Sequence, residues 1–129
     1  MTEEQQIRKK KVLVAEDDEI TSRAYQEGLE GAGYEVILAV NGEEAVRRAK
    51  EHKPDIILLD LIMPETSGFE ALEAIKEDES LKLIPVIILT NLGQDSDVAK
   101  GRELGAVDYL IKTNTSMKDV IEKVNSYLQ

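Results

Sequence analysis

The sequence predicts an α/β fold, a doubly wound (βα)5 unit whose five-stranded parallel sheet carries helices on both sides. Three observations predict it. Short, nearly continuous apolar runs rich in β-branched residues recur along the chain, as expected of strands buried on both faces. Stretches with helical apolar spacing lie between them. The length of 129 residues, 42% of them hydrophobic and 33% charged, suits one compact domain and argues against disorder.

Residues 1–10 read as a polar N-terminal extension without the apolar centre of a secretory signal. The first strand is Val12–Ala15, and Ile20, Ala24 and Leu29 then fall on one helical face. Val36–Val40 forms the second strand, followed by a helix marked by Ala45 and Ala49. Pro54 precedes the third strand, Ile56–Leu59, and Phe69, Leu72 and Ile75 share the face of the third helix. Val86–Leu89 is the fourth strand. Val107–Ile111, interrupted only by Asp108, is the fifth. In the last helix Met117, Val120, Ile121, Val124 and Leu128 trace one stripe, and Ser116 with Asp119 three residues on makes a capping box at its start. Gly33, Gly42 and Gly105 punctuate joins between elements.

Charge and composition exclude several function classes. Lys and Arg number 16 against 26 Asp and Glu, giving a net charge of −10 and a pI near 4.6. A nucleic-acid binder needs a basic face to displace counterions, so direct nucleic-acid binding is not expected. The absence of Cys removes disulfides, thiolate metal sites and thiol nucleophiles. No apolar run approaches the roughly 20 residues that span a bilayer, so membrane insertion is not expected and a cytoplasmic location is. His52, the only histidine, sits among Lys and Glu residues and reads as a solvated surface residue.

In an open α/β sheet, chemistry gathers beyond the carboxyl ends of the strands. Glu16, Asp17 and Asp18 follow the first strand, Asp60 the third, Thr90 the fourth and Lys112 the fifth. Each alone has an ordinary structural explanation. Asp18 reads as a helix cap, Thr90 as strand propensity and Lys112 as a solvated flank. Their joint occurrence at four strand ends is what those explanations leave over. Carboxylates in one pocket repel unless a cation joins them, and hard oxygen ligands select Mg²⁺. A carboxylate such as Asp60 can attack phosphorus and become an acyl phosphate. The transfer then needs positioning and charge compensation on three oxygens, for which Mg²⁺, the Lys112 ammonium and the Thr90 hydroxyl with a backbone N–H suffice.

These residues closely resemble the receiver domain of two-component response regulators. The resemblance rests on Val12-Leu13-Val14-Ala15-Glu16-Asp17-Asp18, on Asp60-Leu61-Ile62-Met63-Pro64 with Gly68 following, on Thr90, and on Tyr109-Leu110-Ile111-Lys112 after Gly105-Ala106. It covers Lys11 to Leu128, within a receiver domain taken as residues 11–129. It implies the flavodoxin-like sheet order 2-1-3-4-5, with Asp60 as phosphoacceptor. Glu16 and Asp17 match the acidic pair, with Asp17 as a direct Mg²⁺ ligand and the Ile62 carbonyl as the backbone ligand. Thr90 and Lys112 would bind the phosphoryl group. Tyr109 would be the aromatic whose rotamer follows Thr90, against the plainer reading of a strand aromatic packed on the last helix.

The resemblance further implies a stand-alone, chemotaxis-regulator-like protein, a phosphoacceptor rather than a turnover enzyme. It would take its phosphoryl group from a sensor histidine kinase or histidine phosphotransfer protein and signal to a downstream protein through the face formed by helix four, strand five and helix five. Two departures stand out. Thr113 follows Lys112 where the family usually has Pro, and Asn91 replaces the small residue usual after Thr90. The alternatives are a phosphorylation-independent receiver-like adaptor and an aspartyl-phosphate phosphatase. The latter lacks its second acid, because Ile62 occupies that position. Dinucleotide and flavin sites fail because acids stand where their Gly-rich or hydroxyl-rich phosphate loops belong.

Overall fold

The protein is described from a computed structural model, over residues 8–129. Residues 1–7 of the expected extension lie outside the described residues, and Arg8, Lys9 and Lys10 are exposed ahead of the first strand. The strands are β1 (Lys11–Ala15), β2 (Glu35–Ala39), β3 (Ile56–Leu59), β4 (Val86–Thr90) and β5 (Asp108–Ile111). All pair in parallel, in the order β2-β1-β3-β4-β5. The helices are α1 (Glu19–Gly31), α2 (Gly42–His52), α3 (Gly68–Glu77), α4 (Asp95–Glu103) and α5 (Met117–Leu128), with a 3₁₀ turn over Lys112–Asn114. Every peptide bond among the described residues is trans. None of their helices is long and apolar enough to cross a membrane.

The two-residue period of the strands divides the core into two layers. Leu13, Ala15, Ile57, Leu59, Val86 and Ile88 pack with Ala45, Ala49, Leu72 and Ile75, under α2 and α3. Val12, Val14, Ile56, Leu58, Ile87 and Leu89 pack with Tyr25, Leu29, Val120 and Val124, under α1 and α5. Each such Val, Leu or Ile contributes roughly 1.5–3 kcal/mol on full burial, so the three central strands β1, β3 and β4 hold the scaffold.

Helix caps follow the sequence signals. Asp18 caps α1 by accepting from the Thr21 N–H at 2.9 Å. The Ser116–Asp119 capping box is complete, with both bonds at 3.1 Å. Asn41 and Ser67 cap α2 and α3 in the same way.

Three expectations need correction. Ile20 is 82% exposed and Ala24 also faces solvent; α1 buries Ser22, Tyr25 and Leu29 instead. A helix with few large apolar residues leaves its rotational phase open, and the large Tyr25 ring wins the sheet-facing position. The second strand is shifted one residue toward the N-terminus from its apolar run and the fifth starts one residue later than its run, leaving Val40 and Val107 outside them at 51% and 38% exposure. Tyr109 packs toward α4 rather than the last helix: a Cβ added at Gly101 of α4 would lie 3.2 Å from its ring.

Candidate functional site

The strand parity that sorts the core also sorts the site. Glu16, Asp60 and Lys112 continue the alternation of Val14, Leu58 and Leu110, residues of the α1–α5 layer. Thr90 continues Val86 and Ile88, in the layer that holds Tyr109. Three of the residues named from the sequence therefore emerge on one side of the sheet edge and two on the other.

The acidic wall stands on β1 and β3, two of the three central strands. The Glu16 N–H bonds the Ala39 carbonyl at 2.9 Å and the Asp60 N–H bonds the Ala15 carbonyl at 3.1 Å, so both residues extend the sheet's own pairing. Glu16 and Asp60 are buried, at 3% and 5% exposure, while Asp17 is exposed. The Lys112 ammonium bridges the buried pair. It donates to Asp60 Oδ2 at 2.7 Å and to Glu16 Oε1. The remaining oxygens take backbone donors: Glu16 Oε2 accepts from the Asp18 N–H at 3.0 Å, and Asp60 Oδ1 from the Ile62 N–H at 3.1 Å. Tyr25, a residue the strand-end reading passed over, lines the floor of this pocket with Val14, Leu58 and Leu89. A strand-end search cannot find it, because it arrives from the middle of a helix.

Burial raises the Glu16 carboxyl above its usual range, outweighing the opposing bonds from Lys112 and the Asp18 N–H. Burial works against the Lys112 charge, but the hydrogen bonds to Asp60 and Glu16 prevail and hold the ammonium above its ordinary value. Asp18 is held below the usual carboxylate range by the Thr21 hydroxyl and N–H. Its bonds go to the helix end, away from the pocket.

Oxygen atoms of Glu16, Asp17 and Asp60 lie within 4.8 Å of one another. Three ionised carboxylates facing one ammonium leave two negative charges uncompensated, the charge of a divalent cation. With oxygen the only donor type, these residues fit Mg²⁺.

Gly68 is explained by close approach. A Cβ there would lie 2.2 Å from the Asp60 carbonyl oxygen and 2.6 Å from Leu61 Cα. The start of α3 presses on the backbone that carries the buried acid, and only glycine permits it. On the other side of the sheet, Thr90 is fully buried and its hydroxyl oxygen accepts from the Leu92 N–H at 3.4 Å. The Tyr109 hydroxyl donates to the Leu92 carbonyl, and burial raises its phenol above the usual value. Tyr109 thus lies outside the acidic pocket, tied to the loop that follows Thr90. Ile62 meets Asp60 through its N–H, with its side chain 54% exposed.

A doubly wound parallel sheet with an acid-lined, lysine-bridged pocket beyond its strand ends defines the class. Residues 12–125 match the family profile of the response regulator receiver domain. The chain belongs to that family. It is 39% identical over 119 residues to the polar-differentiation response regulator DivK of Brucella anthropi, covering 92% of this chain and 96% of that protein. The solved structure of the chemotaxis protein CheY4 from Vibrio cholerae superposes with a TM-score of 0.87 at 28% identity, covering 93% of this chain and 99% of that one. The Francisella response regulator 1452 receiver domain superposes at 0.83 with 30% identity, covering 92% and 95%. Receiver domains are signalling modules of two-component systems rather than turnover enzymes; they take phosphoryl groups from histidine kinases, signal to downstream partners and generally bind Mg²⁺ at an acidic pocket.

Proposed function

We propose that this chain is a phosphorylation-dependent switch in which Asp60 accepts a phosphoryl group from a sensor histidine kinase or a histidine phosphotransfer protein. The observation that carries the reading is the Lys112 ammonium, held between the buried carboxylates of Asp60 and Glu16 with Asp17 at the pocket's rim. An Asp60 oxygen attacks phosphorus in line, the phosphorus–nitrogen bond of the donor's phosphohistidine breaks, and the imidazole leaves with the bonding pair. An acyl phosphate remains on Asp60. Lys112, already within 2.7 Å of Asp60 Oδ2, then pairs with a phosphoryl oxygen. The Thr90 hydroxyl oxygen accepts one N–H and keeps its own hydrogen to donate to a phosphoryl oxygen. Glu16, Asp17, Asp60 and the Ile62 carbonyl would hold Mg²⁺, which when bound compensates charge on the transferring group.

The output surface under this reading is α4, β5 and α5, where Tyr109 links the Thr90 loop to the edge strand. A downstream protein reads the change there. Residues 11–129 form the receiver unit.

The test is incubation with acetyl phosphate and Mg²⁺, followed by intact-mass measurement. One phosphoryl group should appear, labile to base, and Asp60→Asn should carry none. Equal labelling of Asp60→Asn overturns the assignment. No labelling of the wild-type chain favours an adaptor that works without phosphorylation; slow turnover of acetyl phosphate is expected of an acceptor that dephosphorylates itself, and rapid hydrolysis with no accumulating acyl phosphate favours a phosphatase.

A further inference from the structure

Two residues depart from the pattern this chain resembles, Asn91 after the β4 threonine and Thr113 after the β5 lysine. The structure joins them: the Thr113 N–H donates to Asn91 Oδ1 at 3.2 Å. Proline at 113 would have no N–H, and a small apolar residue at 91 would have no acceptor. The bond needs both departures at once.

What the bond holds is the turn that presents Lys112. Lys112–Asn114 is a single 3₁₀ turn with no side-chain cap of its own, and so short a turn has little intrinsic stability. Its carbonyl side is tied by Thr115, whose N–H bonds the Lys112 carbonyl at 3.3 Å and whose hydroxyl bonds the Ile111 carbonyl at 2.7 Å. Its donor side, the N–H directly after Lys112, is tied by Asn91. Asn91 is exposed, but the residue after it is tied on both sides. The Leu92 N–H reaches Thr90 Oγ1 at 3.4 Å, and the Leu92 carbonyl accepts from Tyr109. A fixed loop thus anchors a weak turn.

We propose that Asn91 is a positioning residue for Lys112, fixing through the Thr113 N–H the turn from which the ammonium reaches Glu16 and Asp60. The two departures form one device, an acceptor at 91 and a donor at 113, in place of a rigid imino ring. The kinetic consequence rests on the phosphoacceptor reading above. The electrostatic one does not: an ammonium less firmly held competes less well with a divalent cation for the same carboxylates.

The experiment compares the wild type with Asn91→Ala, Asn91→Leu, Thr113→Ala, Thr113→Pro and the Asn91→Ala/Thr113→Pro double variant. Two quantities are read: the saturating rate of Asp60 phosphorylation by acetyl phosphate, and Mg²⁺ affinity by calorimetry. Asn91→Ala and Asn91→Leu should both lower the rate roughly three- to tenfold, the range of one net hydrogen bond. Both should tighten Mg²⁺ binding by about twofold or more, a change that general loosening of the site would not produce. Thr113→Ala keeps the N–H and should match the wild type. In the Thr113→Pro background, Asn91→Ala should add less than about twofold to either quantity.

A faster rate in Asn91→Ala with Asn91→Leu unchanged would mean that the side chain only obstructs access, and it overturns the proposal. So does an undiminished Asn91→Ala effect in the Thr113→Pro background, or a parallel loss of rate and Mg²⁺ affinity. Should Thr113→Pro fail to fold, the agreement of the Ala and Leu variants at 91 and the silence of Thr113→Ala decide. Should the wild type not label at all, the phosphoacceptor reading falls. The Mg²⁺ measurements then stand alone, with unchanged affinity in Asn91→Ala overturning the positioning role.

Discussion

The two sides of the pocket are built differently. Glu16 and Asp60 leave buried inner strands, and their backbone N–H groups continue the sheet's bonding to Ala39 and Ala15. Lys112 comes from the turn after β5, an edge strand of which only Tyr109 is buried. That turn is met by side-chain bonds from Asn91 and Thr115. Acids placed by the core are preorganised for charge at no further cost. A cation placed by loops is adjustable. Under the proposed function, the acid side would decide whether the pocket can hold a cation and an acyl phosphate, and the lysine side would set how fast phosphoryl transfer runs and how the change leaves the site.

The largest expected effect is on the adjustable side. Lys112→Ala removes the one ammonium that bridges Glu16 and Asp60 and should slow phosphorylation of Asp60 by about 10²–10³-fold, as losing a preorganised charge partner does. Mg²⁺ affinity should rise in the same variant, because the competing cation is gone. A loss below about tenfold in stopped-flow labelling would mean that the acid wall works unaided, and the contrast between the two sides would collapse.

Next comes the acidic register. Mg²⁺ should raise the Tm of the wild type by binding the folded state. Asp17→Ala should lose most of that shift. Asp18→Ala should keep it, while lowering the Tm by a similar amount with or without Mg²⁺, because Asp18 serves the α1 cap. The reverse pattern in thermal scans would move the site by one residue and detach it from the β1 ladder.

A smaller effect should appear in pH dependence. Burial raises the Glu16 carboxyl, and Mg²⁺ needs the carboxylate, so affinity should fall with acidification beginning above the ordinary carboxylate range. The sign for stability is opposite. Without metal, the folded state holds the Glu16 proton more tightly than the unfolded state does. This one group therefore favours folding increasingly as pH falls from the raised value to the ordinary one. Mg²⁺ titrations at a series of pH values check the first statement: affinity that stays flat until the ordinary carboxylate range would mean that burial does not control Glu16. Removal of the effect in Glu16→Gln ties it to this group.

The subtlest expected effect concerns output. Thr90 and Tyr109 meet through Leu92 on the side of the sheet away from the acids, and a ligand shifts an equilibrium only through differential contacts. Beryllofluoride should shift amide resonances across residues 95–128 in the wild type. In Thr90→Ala the shifts should contract to the pocket, although Asp60 still accepts phosphoryl. A full wild-type pattern in Thr90→Ala would leave Tyr109 as packing against Gly101.

Much of this was legible in the sequence. The apolar runs located all five strands to within a residue, and the acids, Thr90 and Lys112 stood at strand ends where such a sheet gathers its chemistry. The Ser116–Asp119 box and the Asp18 cap were readable because their partners lie three residues away. The rotation of α1 was not. Ile20, Ala24 and Leu29 make as good a periodic stripe as the face that is buried, and only docking on the sheet selects Tyr25. Nor was the side of the sheet on which Tyr109 packs.

By itself the sequence determined the succession of elements, the doubly wound sheet and the identity of the polar residues at its carboxyl edge. Those depend on residue period, turn chemistry and strand ends, all local in the chain. The tertiary structure alone decided that Lys112 bridges Glu16 and Asp60, residues 96 and 52 positions away. It alone decided that Tyr25 floors the pocket and that Asn91 meets the Thr113 N–H. Such pairings depend on how strand parity and helix docking superimpose distant segments, and no local period carries that information.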